Sequence, residues 1–524
     1  DAQTGTITLA AGGNLTGGTA TNLGGIIQLV GGTFNINGTL TTTNVQMVGG
    51  SLTGTNVFTN GFLWSGGDWN TASAVTIAAN TVLRIAGSAS HGMGNCSLTN
   101  NGTVVWSGGD IWGGGVGPGT VIYNQGLWDS QADASLFGAY GGSNIVFHNS
   151  GTFRKSAGTN QTTFGYNGVF LNNTGHLDAQ TGTITLAAGG NLTGGTATNL
   201  AGIIRLAGGA FNINGTLTTT NVQLVAGSLI GVNVVTNGLT WSGGDWNSAL
   251  AVTIAANTLL RIAGPTIHGM QNVMVTNQGT VVWSGGDIYG GGTSPGTVIY
   301  NRGLWDSQAD ESFFGAYGGN NIVFHNSGTF RKSAGAGLTQ FGYNGVLLTN
   351  TGTLDAQTGT IALAAGGNLS AGTLSCRLNS LTNFGAFNLV SSVAVAGSLN
   401  VSINGSFAPA PGNQFQIVKG NNISGSFSPV NVPPGVSVTY SNNGVYLRVT
   451  GPVPAHIIGP ALVGDNLGFA WATVSGQSYT VQQNTNLATT NWVFYTNLIG
   501  DGSLMNLQVP VTNAPQQFFR VREP

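Results

Sequence analysis

Charged side chains are sparse in this 524-residue sequence, 13 Lys+Arg and 15 Asp+Glu, so any ionic chemistry must come from a short set of residues. Asp68, Arg84, Asp110, Asp129, Asp133, Arg154 and Lys155 recur as Asp245, Arg261, Asp287, Asp306, Asp310, Arg331 and Lys332, each 177 residues further on. Gathered carboxylates could cleave a glycosidic bond, or hold calcium for a lyase reaction. The opposing reading makes them turn-capping aspartates in "SGGD" loops and ion pairs between neighbouring coils. The second reading is preferred. An enzyme seldom needs two identical sites in one chain, and neither set gathers its acids around a distinct base.

The other reactive types lead the same way. His91 and His148 recur as His268 and His325, but no Ser/His/Asp or Cys/His constellation and no H-x-x-x-H spacing can be assembled around them. "GGGVGPGT" from Gly113 lacks the Lys-Ser/Thr of a phosphate loop. "GGNLTGGTATN" lacks the aspartate of a calcium-binding glycine-rich nonapeptide. No catalytic, cofactor-binding or metal-binding residue is assigned, no cofactor is expected, and the chain is not expected to be an enzyme. Cys96 answers to Val273 in the second copy and Cys376 lies far from it, so two buried free thiols are expected before a disulfide. The sequons at Asn14, Asn37 and Asn214 are of a kind that an Asn/Thr/Gly-rich chain contains by chance.

Aromatic residues remain. Trp64, Trp106 and Trp128 recur as Trp241, Trp283 and Trp305, accompanied by Trp69/Trp246 and Trp112/Tyr289. A row of indoles on a regular scaffold forms either a stacked ladder in or against the core or a platform for sugar rings. The ladder is the preferred reading, with glycan contact as the alternative.

The elements that position these residues are written in a repeat. "DAQTGTITLAAGGNL" stands at Asp1 and Asp178, and returns at Asp355 with one change; 178 − 1 and 355 − 178 both equal 177. A shorter beat runs inside it. Asn-x-Gly followed by an apolar strand ends on Gly102, Gly126, Gly151 and Gly175, at intervals of 24, 25 and 24 residues. Runs such as "GTITLA", "AVTIAA" and "GTVIYN" alternate apolar and small polar residues, the period of a strand, and no amphipathic helix can be drawn. A 20–25-residue beat of short strands predicts an all-β chain, a β-solenoid or parallel β-helix, in which each coil is buried only by its neighbours. Two copies of about eight coils would stack to roughly 80 Å. Glycine at 88 residues, with 14 prolines and no three-residue period, excludes collagen; the regular apolar residues exclude disorder. Low charge suits a stack, because like charges one coil apart repel.

The expected domains are 1–177 and 178–354 as solenoid copies, 355–376 as a partial third copy, and 377–450 as closing coils or cap. After a stiff "GPVPAH" linker, 457–524 forms a small antiparallel Ig-like β-sandwich. A formal net charge of −2 without a basic stripe excludes a nucleic-acid partner, and no apolar run reaches the ~20 residues of a membrane span. Asp1 already lies inside a repeat, so a processed or truncated start is expected.

"FHNSGTFRKSAG…FGYNGVFLNNTGHLDAQTGTITLAAGGNL" resembles the repeats of large secreted bacterial β-helix proteins of the adhesin or passenger type, over about residues 1–375. "QFQIVKGNNISGSFSPVNVPPG" looks like the closing region of such solenoids. "GQSYTVQQNTNL…NWVFYTNL…PQQFFRV" is similar to a short C-terminal β-domain of proteins exported by environmental Gram-negative bacteria. The resemblance implies export and a solenoid, and brings no catalytic residue with it. The expected function is a structural subunit of an extracellular filament. It would assemble head-to-tail with copies of itself through Asp1, Ala2, Gln3 and Thr4 of the first coil and Phe518 and Phe519 of the C-terminal module. A cell-surface adhesin or glycan-binding stalk is the alternative, and a polysaccharide-degrading enzyme a distant third.

Overall fold

The computed structural model describes residues 1–524 except 16–23, 41–43, 166, 200, 214–220, 343, 365–366, 370, 391, 452, 512–515 and 524. Every regular element among the described residues is a strand. The strands form a parallel β-solenoid of about 16 turns followed by small antiparallel sheets. The chain divides into two compact units, 1–281 and 282–524.

In the first unit a coil consists of three short strands, for example Thr103–Trp106, Ile111–Gly115 and Thr120–Asn124. The next coil, Leu127–Ser130, Ser135–Gly142 and Ile145–Asn149, pairs with it strand for strand in parallel. Side chains alternate in and out. In Ile145–Asn149 the buried residues are Ile145, Phe147 and Asn149, while Val146 and His148 face outward. The Asn-x-Gly beat has a double cause. At Gly126, Gly151 and Gly175 a Cβ would run into the carbonyl oxygen of the beat glycine one coil earlier, so only glycine lets consecutive coils approach. The asparagine two residues before each glycine points inward and belongs to a ladder. Asn100 donates through Nδ2 to Oδ1 of Asn124 at 2.7 Å, Asn124 to Asn149 at 2.7 Å, and Asn149 to Asn173 at 2.6 Å. Each buried amide thereby satisfies its neighbour.

The two copies are out of phase. The row that starts at Thr6–Leu9 reaches His176–Ala179 after nine strands, which is eight steps. The counterpart of Thr6–Leu9 is Thr183–Leu186, one strand further on, and it lies on the neighbouring row, paired to Gln161–Phe164. One copy therefore advances by eight and a third coils, and each outward residue type moves round by one face.

In the second unit one row runs through Leu304–Ser307, Thr329–Lys332, Thr353–Ala356, Thr373–Leu378 and Ser398–Ile403 to Val430–Asn431, all parallel. The pairing turns antiparallel where Gln414–Gly420 meets Gly444–Val449, which in turn pairs with Val436–Ser441. The last residues form two three-stranded antiparallel sheets. Ile458–Val463, Asn466–Ala472 and Leu504–Pro510 make one; Val493–Ile499, Ser478–Asn484 and Phe518–Arg522 make the other. They share a core of Phe469, Trp471, Tyr479, Val481 and Val509.

Candidate functional site

Four charged residues, Asp133, Arg154, Lys155 and Asp178, meet in two ion pairs where one copy passes into the next. Strand His176–Ala179 lies parallel to Thr152–Lys155, with Arg154 opposite Asp178 and Lys155 opposite Ala179. Arg154 Nε donates to Asp178 Oδ2 at 3.1 Å, and Gln180 Nε2 donates to the same oxygen at 2.8 Å. Thr198 Oγ1 donates to the other carboxylate oxygen at 3.2 Å. Asp178 thus ties three consecutive turns of chain together.

Lys155 lies behind this pair with its side chain fully buried. Its ammonium group donates to Asp133 Oδ1 at 2.8 Å, Thr162 Oγ1 at 3.2 Å, and the carbonyls of Ala132 and Ala157 at 3.2 and 3.0 Å. Such a charge is tolerated inside a fold only when its donors are satisfied. Burial by itself would raise the pKa of Asp133, but the hydrogen bond from Lys155, the backbone N–H of Asn160 and the lysine charge together hold it below the usual carboxylate value. The stem of Lys155 also underlies the turn at Gly182, where φ is +55° and a side chain would strike the lysine Cε. That turn launches Thr183–Leu186, which pairs with Gln161–Phe164 on one edge and Ile203–Leu206 on the other. Thr185 Oγ1 donates to Gln161 Oε1 at 3.0 Å, and all four residues of the strand are buried.

The same joint is built again at the start of the third copy. Arg331 Nε reaches Asp355 Oδ2 at 3.1 Å and Gln357 Nε2 reaches it at 2.9 Å. Lys332 is fully buried and donates to Asp310 at 2.6 Å and Thr339 at 3.2 Å. Of the other repeated aspartates, Asp129 and Asp306 each accept from a glutamine two residues on, Gln131 at 2.8 Å and Gln308 at 2.9 Å, while their Oδ1 atoms are buried without a hydrogen-bond partner. Asp110 and Asp287 accept the backbone N–H of Ser135 and Ser312, both at 2.8 Å. Asp68 accepts the hydroxyl of Ser51 at 3.1 Å. Among the described residues no group of three or more His, Cys, Asp or Glu is placed to hold a metal ion.

The first-coil residues singled out by sequence are the counterparts of this joint. Asp1, Gln3 and Thr4 are exposed and Ala2 is buried. Gln3 Nε2 donates to Asp1 Oδ2 at 3.3 Å, the Gln–Asp contact of the joint without its arginine. Thr6–Leu9 pairs along one edge, with Ile26–Leu29. Phe518 and Phe519 are half-buried in the C-terminal module. Phe519 packs on Phe469 at 5.9 Å and on Tyr495 at 5.8 Å, so that ring already serves its own core.

The six tryptophans are not a surface. Trp64, Trp106, Trp128, Trp241, Trp283 and Trp305 are all 0% exposed, so no sugar ring can stack on them. The four in "WSGGD" turns, Trp64, Trp106, Trp241 and Trp283, spend their indole N–H groups on the turn, whereas the indole N–H groups of Trp128 and Trp305, in "GLWDSQAD", are buried without a hydrogen-bond partner. The indole N–H of Trp64 donates to the carbonyl of Gly67 at 3.1 Å, that of Trp106 to Gly109 at 2.7 Å, and that of Trp241 to Gly244 at 3.1 Å. Each of these four side chains thus closes its own turn and then faces inward, Trp64 stacking on Trp69 at 3.9 Å. The exposed aromatic residues are others: Trp112, Tyr123, Tyr140, Tyr440 and Phe494. Cys96 and Cys376 are free and buried. Burial pushes the Cys96 thiol up to about 12, and burial followed by the nearby charge of Asp355 does the same to Cys376.

No protein-family model matches this sequence, and no curated protein is significantly similar to it. No helix among the described residues is long and apolar enough to cross a membrane. What the joint can do chemically is hold coil to coil.

Proposed function

We propose that this chain is a structural subunit of an extracellular filament or matrix fibre, which assembles head-to-tail through the coil that carries Asp1–Thr4. One observation carries the reading. The residues Asp-Ala-Gln-Thr and the strand after them form a complete inter-coil joint at 178 and again at 355, with the same ion pair at the same 3.1 Å. A surface that accepts a preceding coil twice within one chain has the chemistry to accept one from another chain, and a heterologous contact that does not close on itself extends into a fibre. The one-face offset between copies supports a structural role, because no side of the first unit is reserved for a single type of residue. Export is what the resemblance to secreted solenoids implies.

The test is electron microscopy and sedimentation velocity of the full chain over a range of concentrations, beside the variant Ile7→Lys. Ile7 is 39% exposed whereas its counterpart Ile184 is 0% exposed, so a lysine at 7 spares the subunit and blocks a docked coil. Fibres from the parent chain and single particles from Ile7→Lys are expected. Single particles from the parent at every concentration, or equal assembly by the variant, would overturn the proposal.

A further inference from the structure

We infer that the C-terminal module carries a binding site for a neutral saccharide, independent of any assembly through the first coil. The site is a cleft of about 580 Å³ between the end of strand Ser478–Asn484, the loop that follows it, and the start of Val493–Ile499. One wall is apolar: Val493, Tyr495 and Pro510 line it. Val493 is 60% exposed, an unusual setting for a valine with no covering neighbour, and the Tyr495 ring is braced edge-on by Phe519 at 5.8 Å. The rest of the lining is polar, with the side-chain amides of Gln483, Asn491 and Gln517 among it, and no charged side chain lines the cleft.

The loop is held in shape before anything binds. Asn484 Nδ2 donates to the carbonyl of Thr489 at 3.2 Å and its Oδ1 accepts from the backbone of Asn486 at 2.9 Å. Thr489 Oγ1 donates back to Asn486 O at 2.9 Å. These side chains shape the cleft, whereas the lining amides contain an unmet demand. Gln517 donates through Nε2 to Gln483 Oε1 at 3.0 Å, which fixes its orientation, yet its own Oε1 is buried and has no hydrogen-bond partner. A buried acceptor left alone carries an uncompensated desolvation cost, so the arrangement calls for a donor brought from outside.

The chemistry of the lining defines that donor. A pyranose ring has an apolar C–H face, which suits Val493, Tyr495 and Pro510, and a rim of hydroxyl groups that donate and accept, which suits three amides. The lack of charge excludes selection for uronic acids or sulfated sugars, which would require a cation in this lining. The glycan-contact role that the sequence offered to the buried tryptophans is thus reassigned to a different module.

Affinity electrophoresis of the full chain in gels containing neutral β-glucan, mannan or galactan tests the inference, with acidic polysaccharides in parallel. Retardation by at least one neutral polymer is expected, weakened about tenfold in Gln517→Leu, which removes the lone acceptor. Asn491→Ala, an exposed position whose change leaves the fold intact, should weaken it as well. No retardation by any neutral polymer would overturn the inference. So would retardation unchanged in Asn491→Ala, or binding confined to acidic polymers and abolished by salt.

Discussion

Strands Thr6–Leu9 and Thr183–Leu186 have the same sequence, TITL, and the same flanking residues. Their surroundings nonetheless differ. The first pairs along one edge, and its isoleucine is 39% exposed; the second lies between two coils, and its isoleucine is 0% exposed. Burial in a solenoid is therefore conferred by the neighbouring coil rather than by the strand itself. Fully burying such an aliphatic side chain contributes about 2 kcal/mol, so a covering coil stabilises the strand that it meets. The ion pairs follow the same rule: Asp178 meets Arg154 across the coil before it.

The largest expected effect separates the two strands directly. Ile184→Lys places an ammonium group where no water reaches and should lower stability by about 4 kcal/mol, read as a fall in denaturation midpoint. Next comes Lys155→Met, which removes the donor shared by four acceptors beneath the Gly182 turn. A loss of about 3 kcal/mol is expected, with proteolysis opening first between 155 and 186. Asn149→Ala interrupts the amide ladder and leaves the carbonyl of His176 without its 3.0 Å donor. About 2 kcal/mol should be lost in denaturant titration, with the slope unchanged. The smallest change is Ile7→Lys, within about 0.5 kcal/mol of the parent, because that side chain is 39% exposed. Equal losses at 7 and 184 would refute the comparison. The thiols offer a check on burial without any substitution. With both raised to about 12, neither Cys96 nor Cys376 should react with iodoacetamide at pH 8 until the chain unfolds.

Much of this architecture was legible in the residues. Alternation in runs such as "GTVIYN" and the 24–25-residue beat define strands stacked in parallel, because both periods are properties of the chain itself. The fate of individual side chains was less legible. Nothing in the spacing of Trp64 and Trp106 says that their indoles face inward; there the positive φ of Gly67 and Gly109 bends the chain so that the indole N–H can reach the glycine carbonyl. The asparagine ladder had a usable signal. Asn100, Asn124, Asn149 and Asn173 all stand two residues before a beat glycine, and a polar residue fixed at an inward position implies stacking. The burial of Lys155 had none, since its acceptors come from coils 22 residues before it and seven after it. The one-face offset between copies escaped as well, because a repeat length gives no strand count per coil.

Hydrogen exchange by mass spectrometry on the full chain, dilute and concentrated, tests the central claim most directly, because peptides covering 1–9 and 178–186 report on the same sequence in one sample. The account predicts slow exchange at 183–186 throughout, and fast exchange at 6–9 that slows as the chains assemble. Exchange at 6–9 that stays fast in assembled material would contradict it, and so would equal protection of both strands in dilute monomer.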